Sequence, residues 1–122
     1  MRVQLPHLAL SALLALGGCA TQTSLYHWGP YEDQVYAHFK NESPEQQILV
    51  LEKHVQEAAA KDRQLPPGFR AHLGLLYAKV GREEDFLMAL QQEMAAFPES
   101  APYVNSLLAR AKGRSESRDD KK

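Results

Sequence analysis

The sequence predicts an all-α fold, arranged as a short stack of antiparallel helical hairpins. The prediction depends mainly on the stretch from Pro66 to Ser100, where apolar residues recur at the three-and-four spacing of a buried helical face. The first helix of this stretch carries the spacing at Phe69, Leu73, Leu76, Tyr77 and Val80, and the second at Phe86, Leu90, Met94 and Phe97. Gly81 lies between the two patterns and Pro98 follows the second. We therefore expect two helices that turn back on each other at Gly81.

The spacing of small and aromatic residues in this stretch resembles the 34-residue tetratricopeptide repeat. If Pro67 is position 1, then Gly74 is position 8 and Tyr77 is position 11. Gly74 has no side chain, so a partner helix can approach it closely. The match is partial, because Phe86 and Glu93 stand where the repeat usually has small residues. We expect one repeat-like hairpin, with its closest helix contact at Gly74.

The first 18 residues have the layout of a signal peptide. Arg2 gives a weakly basic start, and a short apolar run extends from Leu8 to Leu16. This run is too short to span a bilayer as a helix. The next residues, Leu16-Gly17-Gly18-Cys19, resemble the lipobox of bacterial lipoproteins, in which the cysteine is lipidated and becomes the first mature residue. The resemblance implies a lipoprotein signal peptide at residues 1–18 and a covalent lipid on Cys19. The alternative is an ordinary secretory signal with a chance cysteine.

The residue after the cysteine bears on the location of the protein. An aspartate there would favour retention in the inner membrane, by resemblance to the known sorting rule, but this chain has Ala20. We therefore expect a lipid-anchored protein of the outer membrane that faces the periplasm.

Residues 19–30 form a lipidated tether followed by an aromatic segment. Thr21 to Ser24 are polar, and Tyr26, Trp28 and then Tyr31 follow within a few residues. These aromatic rings either anchor the chain at the membrane interface or pack on the first helices as a lid over the core.

The domain proper is predicted to extend over residues 31–111. A short helix is expected from Tyr31 to Lys40, and a second helix from Pro44 to about Lys61. Ser43, with a glutamine three residues later, resembles a capping box at the start of the second helix. A last helix with Tyr103, Leu107 and Ala111 on one face would cap the stack. Residues 112–122 are charged and contain no apolar residue, so we expect a disordered tail.

Composition and motifs give no indication of an enzyme. The five histidines are His7, His27, His38, His54 and His72. They lie on separate predicted elements without an i, i+4 pair or a nearby cysteine, so we expect surface or capping histidines and no metal site. Glu83, Glu84 and Asp85 are placed in the first turn of a helix, where the dipole stabilises negative charge. The formal net charge of −1 gives no electrostatic case for nucleic acid binding. We expect no catalytic residues, no cofactor other than the lipid, and no small-molecule substrate.

The candidate partner-binding residues are Ala71, Leu75, Ala78 and Lys79. They form a second face of the helix that carries Leu73 and Tyr77. In tetratricopeptide-like stacks, such a face lines the concave groove that receives a peptide or a helix of a partner. The alternative is that Leu75 and Ala78 pack against the helix predicted at 44–61.

The chain from Cys19 through the last helix resembles a family of uncharacterised small proteobacterial lipoproteins with a domain of unknown function. The resemblance rests on the lipobox, on residues 26–32 (YHWGPYE), on residues 65–81 (LPPGFRAHLGLLYAKVG) and on residues 97–100 (FPES). It implies a shared assembly with other envelope lipoproteins, including ones similar to curli-secretion channel subunits. We expect a non-enzymatic helical protein-protein interaction module that is accessory to such an assembly. The alternative is a structural or envelope-maintenance role without a defined groove ligand.

Overall fold

The structure is a computed structural model that describes residues 24–121. Within this part of the chain there are five α-helices and no strand: α1 Tyr31–Phe39, α2 Pro44–Ala60, α3 Phe69–Lys79, α4 Glu83–Ala96 and α5 Ala101–Asp119, with a 3₁₀ turn at Pro98–Ser100. The all-α prediction is confirmed, whereas the tetratricopeptide resemblance stays a prediction. The predicted signal peptide and Cys19 lie outside the described residues. Between residues 24 and 121, no helix has both the length and the hydropathy to cross a membrane.

The helices follow one another as a layered stack. α3 and α4 form the most extensive contact, α1 packs on α2, α2 packs on α3, and α5 packs on α4. The core takes its largest buried side chains from α2 to α5, namely Leu51, Phe69, Leu76, Phe86, Leu90 and Val104. Gly81 makes the turn between α3 and α4 with a φ of +79°, which glycine adopts without steric cost.

Gly74 lies where α3 and α4 approach each other closely. A Cβ atom at this position would be 3.3 Å from the Cβ atom of Ala89 and 3.4 Å from the backbone oxygen of Phe86. The close helix contact expected at Gly74 is therefore present.

The segment before α1 packs on the domain. The Tyr26 ring lies edge-on to Phe97 with centroids 5.9 Å apart, and the Tyr31 ring lies 5.2 Å from Phe69. The backbone N–H of His27 donates to the carbonyl oxygen of Gln64 at 2.8 Å. Tyr26 and Tyr31 therefore pack on the core as the lid interpretation expects, whereas Trp28 is 39% exposed.

The C-terminal tail differs from the expectation of disorder beyond residue 111. α5 continues through Asp119, although every residue from 112 to 119 is exposed. Lysine, arginine and glutamate lose little rotamer freedom in a helix. Solvated residues of these types can therefore extend a helix whose first turns are held in place by packing. Here Val104 and Leu107 are the buried residues that hold it.

A buried carboxylate joins α3 to α4. Glu93 on α4 is 1% exposed, and it accepts hydrogen bonds from the backbone N–H groups of Gly68 at 2.6 Å, Arg70 at 3.1 Å and Ala71 at 3.3 Å. These groups belong to the first turn of α3, whose N–H donors have no partner within the helix. The Gly68 N-cap has no side chain to cap them, so Glu93 performs that role from the neighbouring helix.

We expect Glu93→Gln to lower the free energy of unfolding by about 1.5 to 3 kcal/mol, because an amide replaces the charged acceptor. Glu93→Ala should cost more, since it leaves several buried N–H groups without an acceptor. Chemical denaturation followed by circular dichroism measures both values. Glu99→Gln is the control, because Glu99 is exposed and its change should stay within about 0.5 kcal/mol. A Glu93→Gln variant as stable as the wild type would show that the carboxylate does not hold the hairpin.

Candidate functional site

A groove of about 780 Å³ lies between α2, α3 and α4. α3 lines it with Arg70, Leu73 and Tyr77, which share one face of the helix at the i, i+3, i+7 spacing. α4 contributes Met88 and Gln92 on the opposite side. The groove therefore has apolar side chains along its length and polar groups at its ends.

One end of the groove is closed by a set of paired charges. Arg82 donates to Glu52 at 3.1 Å and to Asp85 at 2.7 Å, and the Tyr77 hydroxyl donates to Glu52 at 2.8 Å. The Arg82 guanidinium also lies over the Tyr77 ring, 4.4 Å from its centroid. Burial, together with the Glu52 carboxylate, raises the pKa of Tyr77, so the hydroxyl remains a proton donor. The single guanidinium pairs with both carboxylates, so this end of the groove keeps a net negative charge.

The other end of the groove holds a cation without an acceptor. The Nη1 atom of Arg70 is buried, and no residue of the described chain accepts a hydrogen bond from it. The backbone of Arg70 is held in place, because its N–H is one of the three that donate to Glu93. Arg70 and Tyr77 are about 10 Å apart along α3. The groove is thus lined at this end by a guanidinium, a group suited to a carboxylate.

The four residues predicted to bind a partner do not form one accessible surface. Ala71 is 1% exposed and belongs to the core, Leu75 and Ala78 are partly buried against it, and Lys79 is exposed. None of the four lines the groove between α2, α3 and α4. Ala71 is therefore not available to a partner, and this part of the expectation is wrong. The reason is that α3 packs against other helices on more than one face.

Ala78 lines a smaller groove of about 470 Å³ between the end of α3, the start of α4 and α5. Leu87 and Leu108 contribute apolar surface to this smaller groove. Charged residues from the last turns of α5 line it as well. One predicted binding residue therefore borders a second concave surface.

The histidines among the described residues lie in two pairs. His27 and His54 stack with ring centroids 4.4 Å apart, and His38 and His72 meet edge to face at 5.2 Å. His54 is 2% exposed and His72 is 9% exposed, so the expectation of surface or capping histidines is wrong for both. The structure also brings ligand atoms of His27, His54 and Glu57 within 4.8 Å of one another, although no metal-ligand set was expected. The i, i+3 spacing of His54 and Glu57 is the one sequence signal that pointed to this cluster.

The buried His72 predicts a loss of stability in acid. Burial, with repulsion from His38 and Lys79, lowers the pKa of His72 from 6.5 to about 4. As the pH falls below 6.5 the unfolded chain binds a proton that the folded chain does not, so the stability from this group falls until about pH 4. The loss is about 3 kcal/mol at most. Denaturation at pH 7.5 and 4.5 measures it, and His72→Gln should reduce the difference. An equal pH dependence in both proteins would show that His72 is not responsible.

Comparison with protein families gives a match over residues 25–107, to a family described as a domain of unknown function, DUF4810. No curated protein and no solved structure matches the chain. The matched stretch contains the aromatic segment, α1 to α4, the first part of α5 and the whole lining of the groove. Because it covers more than half of the 122 residues, the expectation of an uncharacterised family is confirmed. The chain belongs to the DUF4810 family.

Proposed function

We propose that this protein is a lipid-anchored envelope protein that binds a segment of another envelope lipoprotein in the groove between α2, α3 and α4. It acts without catalysis, as an accessory interaction module at the periplasmic face of the outer membrane. The observation that carries the proposal is the open groove, lined at one end by the Arg70 side chain.

The size and lining of the groove suit a short helical or extended segment. The distance of about 10 Å along α3 from Arg70 to Tyr77 corresponds to about two turns of a bound helix. Leu73 and Ala89 are buried beneath the surface, while Met88 is 53% exposed at its edge. A methionine adapts its shape to different apolar surfaces, which suits a binding site. The bound segment is therefore expected to present an apolar face to the groove.

The charges of the groove specify the polarity of that segment. Arg70 requires an anionic partner, whereas Glu52 and Asp85 are already paired with Arg82. The expected ligand thus carries an acidic residue, or a chain carboxylate, at the end that lies over Arg70. The resemblance of this chain to small envelope lipoproteins suggests that the partner is itself an envelope lipoprotein, and those similar to curli-secretion channel subunits are the first candidates.

Substitutions at two adjacent residues of α4 test the groove separately from the rest of the surface. Met88 lines the groove, whereas Leu87 is 45% exposed and borders the smaller groove. We expect Met88→Glu to prevent capture of an envelope lipoprotein from detergent-solubilised envelopes, because it adds a carboxylate to the apolar lining. The control Leu87→Glu should capture it as the wild type does. Arg70→Met should weaken capture and reduce its dependence on salt.

Circular dichroism must first show that the variants remain folded, as expected for the exposed Met88 and Leu87 and the half-buried Arg70. If Met88→Glu captures the same lipoprotein while Leu87→Glu does not, the binding surface is the smaller groove. If the wild type captures no lipoprotein, the structural role without a groove ligand is favoured instead.

The anchor is tested separately at Cys19. We expect the chain to incorporate a labelled fatty acid in a bacterial host and to fractionate with the outer membrane, because the lipobox-like sequence presents the Cys19 thiol for acylation. Cys19→Ser should remain unlabelled. Equal labelling of the two proteins, or none in the wild type, would remove the anchor from the proposal.

A further inference from the structure

The segment before α1, residues 24–30, has apolar side chains that the domain covers only in part. Its Tyr26 ring packs on Phe97, whereas Leu25 is 75% exposed and Trp28 is 39% exposed. The Trp28 ring lies edge-on to the Tyr26 ring with centroids 6.4 Å apart, so it is held in place while part of its surface remains in solvent. Leu25 and Trp28 are called the outward pair below.

The backbone of the segment is fixed to the domain on both sides of Leu25. The Arg63 guanidinium donates to the carbonyl oxygen of Ser24 at 2.6 Å. The backbone N–H of His27 donates to the carbonyl oxygen of Gln64 at 2.8 Å. The outward pair is therefore presented by a backbone that is already ordered, and little conformational entropy is lost when it contacts another surface.

These contacts place the outward pair at one end of the helical stack. Arg63 and Gln64 belong to the loop between α2 and α3, and Phe97, the partner of Tyr26, directly follows α4. The turn at Gly81 between α3 and α4 lies at the opposite end. The two ends are well separated, because α3 has 11 residues and is about 16 Å long.

The chain between the predicted lipid and the outward pair is short. Residues 20–23 are all that separate Cys19 from Ser24. A fully extended chain covers at most about 3.6 Å per residue, so the Cα atoms of Cys19 and Ser24 are at most about 18 Å apart. A lipidated cysteine lies at the surface of the bilayer that holds its acyl chains. With Cys19 lipidated as proposed above, the segment therefore stays close to the membrane surface.

The outward pair suits the boundary between lipid and water. Tryptophan is enriched at this level of membranes, where its ring contacts apolar groups and its N–H group finds an acceptor. Leu25 adds a side chain whose removal from water is favourable. Another protein would cover the pair equally well, but the membrane is the surface that the short tether holds beside it. The bilayer is therefore the favoured occupant.

The charges around the outward pair do not favour an anionic surface. Lys61 and Arg63 are exposed after α2, but the exposed Asp62 lies between them, and Glu32 and Asp33 are exposed in the first turn of α1. Because positive and negative groups are mixed here, any attraction to anionic lipid is weak. A contact with the membrane is therefore apolar in origin and should persist at high salt.

We propose that Leu25 and Trp28 insert into the interfacial region of the bilayer that holds the lipid anchor. This contact rests on the anchor of the proposed function and adds an orientation to it. The end of the stack with the outward pair lies on the membrane, and the Gly81 turn points into the periplasm. The domain is then held at the surface by two contacts and does not move freely on its tether.

Trp28 is the one tryptophan of the sequence, so tryptophan fluorescence reports this position alone. The experiment uses the full lipidated chain, reconstituted into vesicles of phosphatidylcholine. A second set of vesicles contains phosphatidylcholine brominated in the upper part of its acyl chains, where bromine quenches a tryptophan that lies in the interface. We expect the brominated lipid to lower the Trp28 emission about twofold. High salt or added phosphatidylglycerol should leave this quenching unchanged.

Variants with matched controls locate the contact. Leu25→Glu adds a charge to the outward pair and should remove most of the quenching of Trp28. Leu49→Glu makes the same change at a leucine that is 67% exposed in the second turn of α2, away from the outward pair, and should leave the quenching unchanged. In Trp28→Phe/Leu87→Trp the tryptophan lies near the start of α4, towards the Gly81 turn, and should not be quenched. All these variants should keep the wild-type circular dichroism.

Fatty-acid labelling and flotation with the vesicles report the anchor separately from the contact. A labelled chain that floats while brominated lipid leaves Trp28 unquenched retains the anchor and overturns the contact. If Trp28 is then also shielded from aqueous acrylamide, a protein covers the outward pair instead. Equal quenching in wild type and Leu25→Glu, or equal quenching of the tryptophan at position 87, overturns the contact as well. A chain that is neither labelled nor floats removes the anchor and, with it, the contact.

Discussion

The hydrogen bonds from the start of α3 to the buried Glu93 carboxylate are the interaction on which the rest of the structure depends. A buried carboxylate is costly unless its oxygens accept hydrogen bonds, and the first turn of α3 supplies three N–H donors that have no other acceptor. The two requirements are met together only when α4 crosses α3 at this point. The same contact places Arg70 at the end of the groove, since its backbone N–H is one of the donors.

The groove follows from the way this hairpin is packed. Gly74 brings α3 and α4 close together, and α2 covers another side of α3, so that most residues of this helix are buried. Leu73 and Tyr77 lie where the three helices diverge and are partly left to the groove. The Arg82 ion pairs hold Glu52 and Asp85 in one arrangement and leave that end of the groove with a net negative charge. Arg70 lines the opposite end, so the two ends of the groove differ in charge.

The segment before α1 connects the domain to the predicted lipid anchor. Its aromatic rings pack on Phe69 and Phe97, and His27 stacks on His54. These contacts hold the segment against α2, α3 and the end of α4. The histidine cluster lies at this junction and not in the groove.

Periodicity and turn residues were sufficient to predict five helices, the hairpin at Gly81 and the close contact at Gly74. These features depend on local spacing, which the sequence displays directly. The assignment of faces on α3 was not predictable in the same way, because its apolar residues occur all round the helix and only the neighbouring helices decide which remain accessible. In the sequence, Glu93 stands out only as a departure from the repeat pattern. Its hydrogen-bond donors lie more than twenty residues earlier in the chain, so local spacing does not reveal them. His27 and His54 meet across 27 residues for the same reason: the docking of the first segment, and not any spacing along the chain, brings them together.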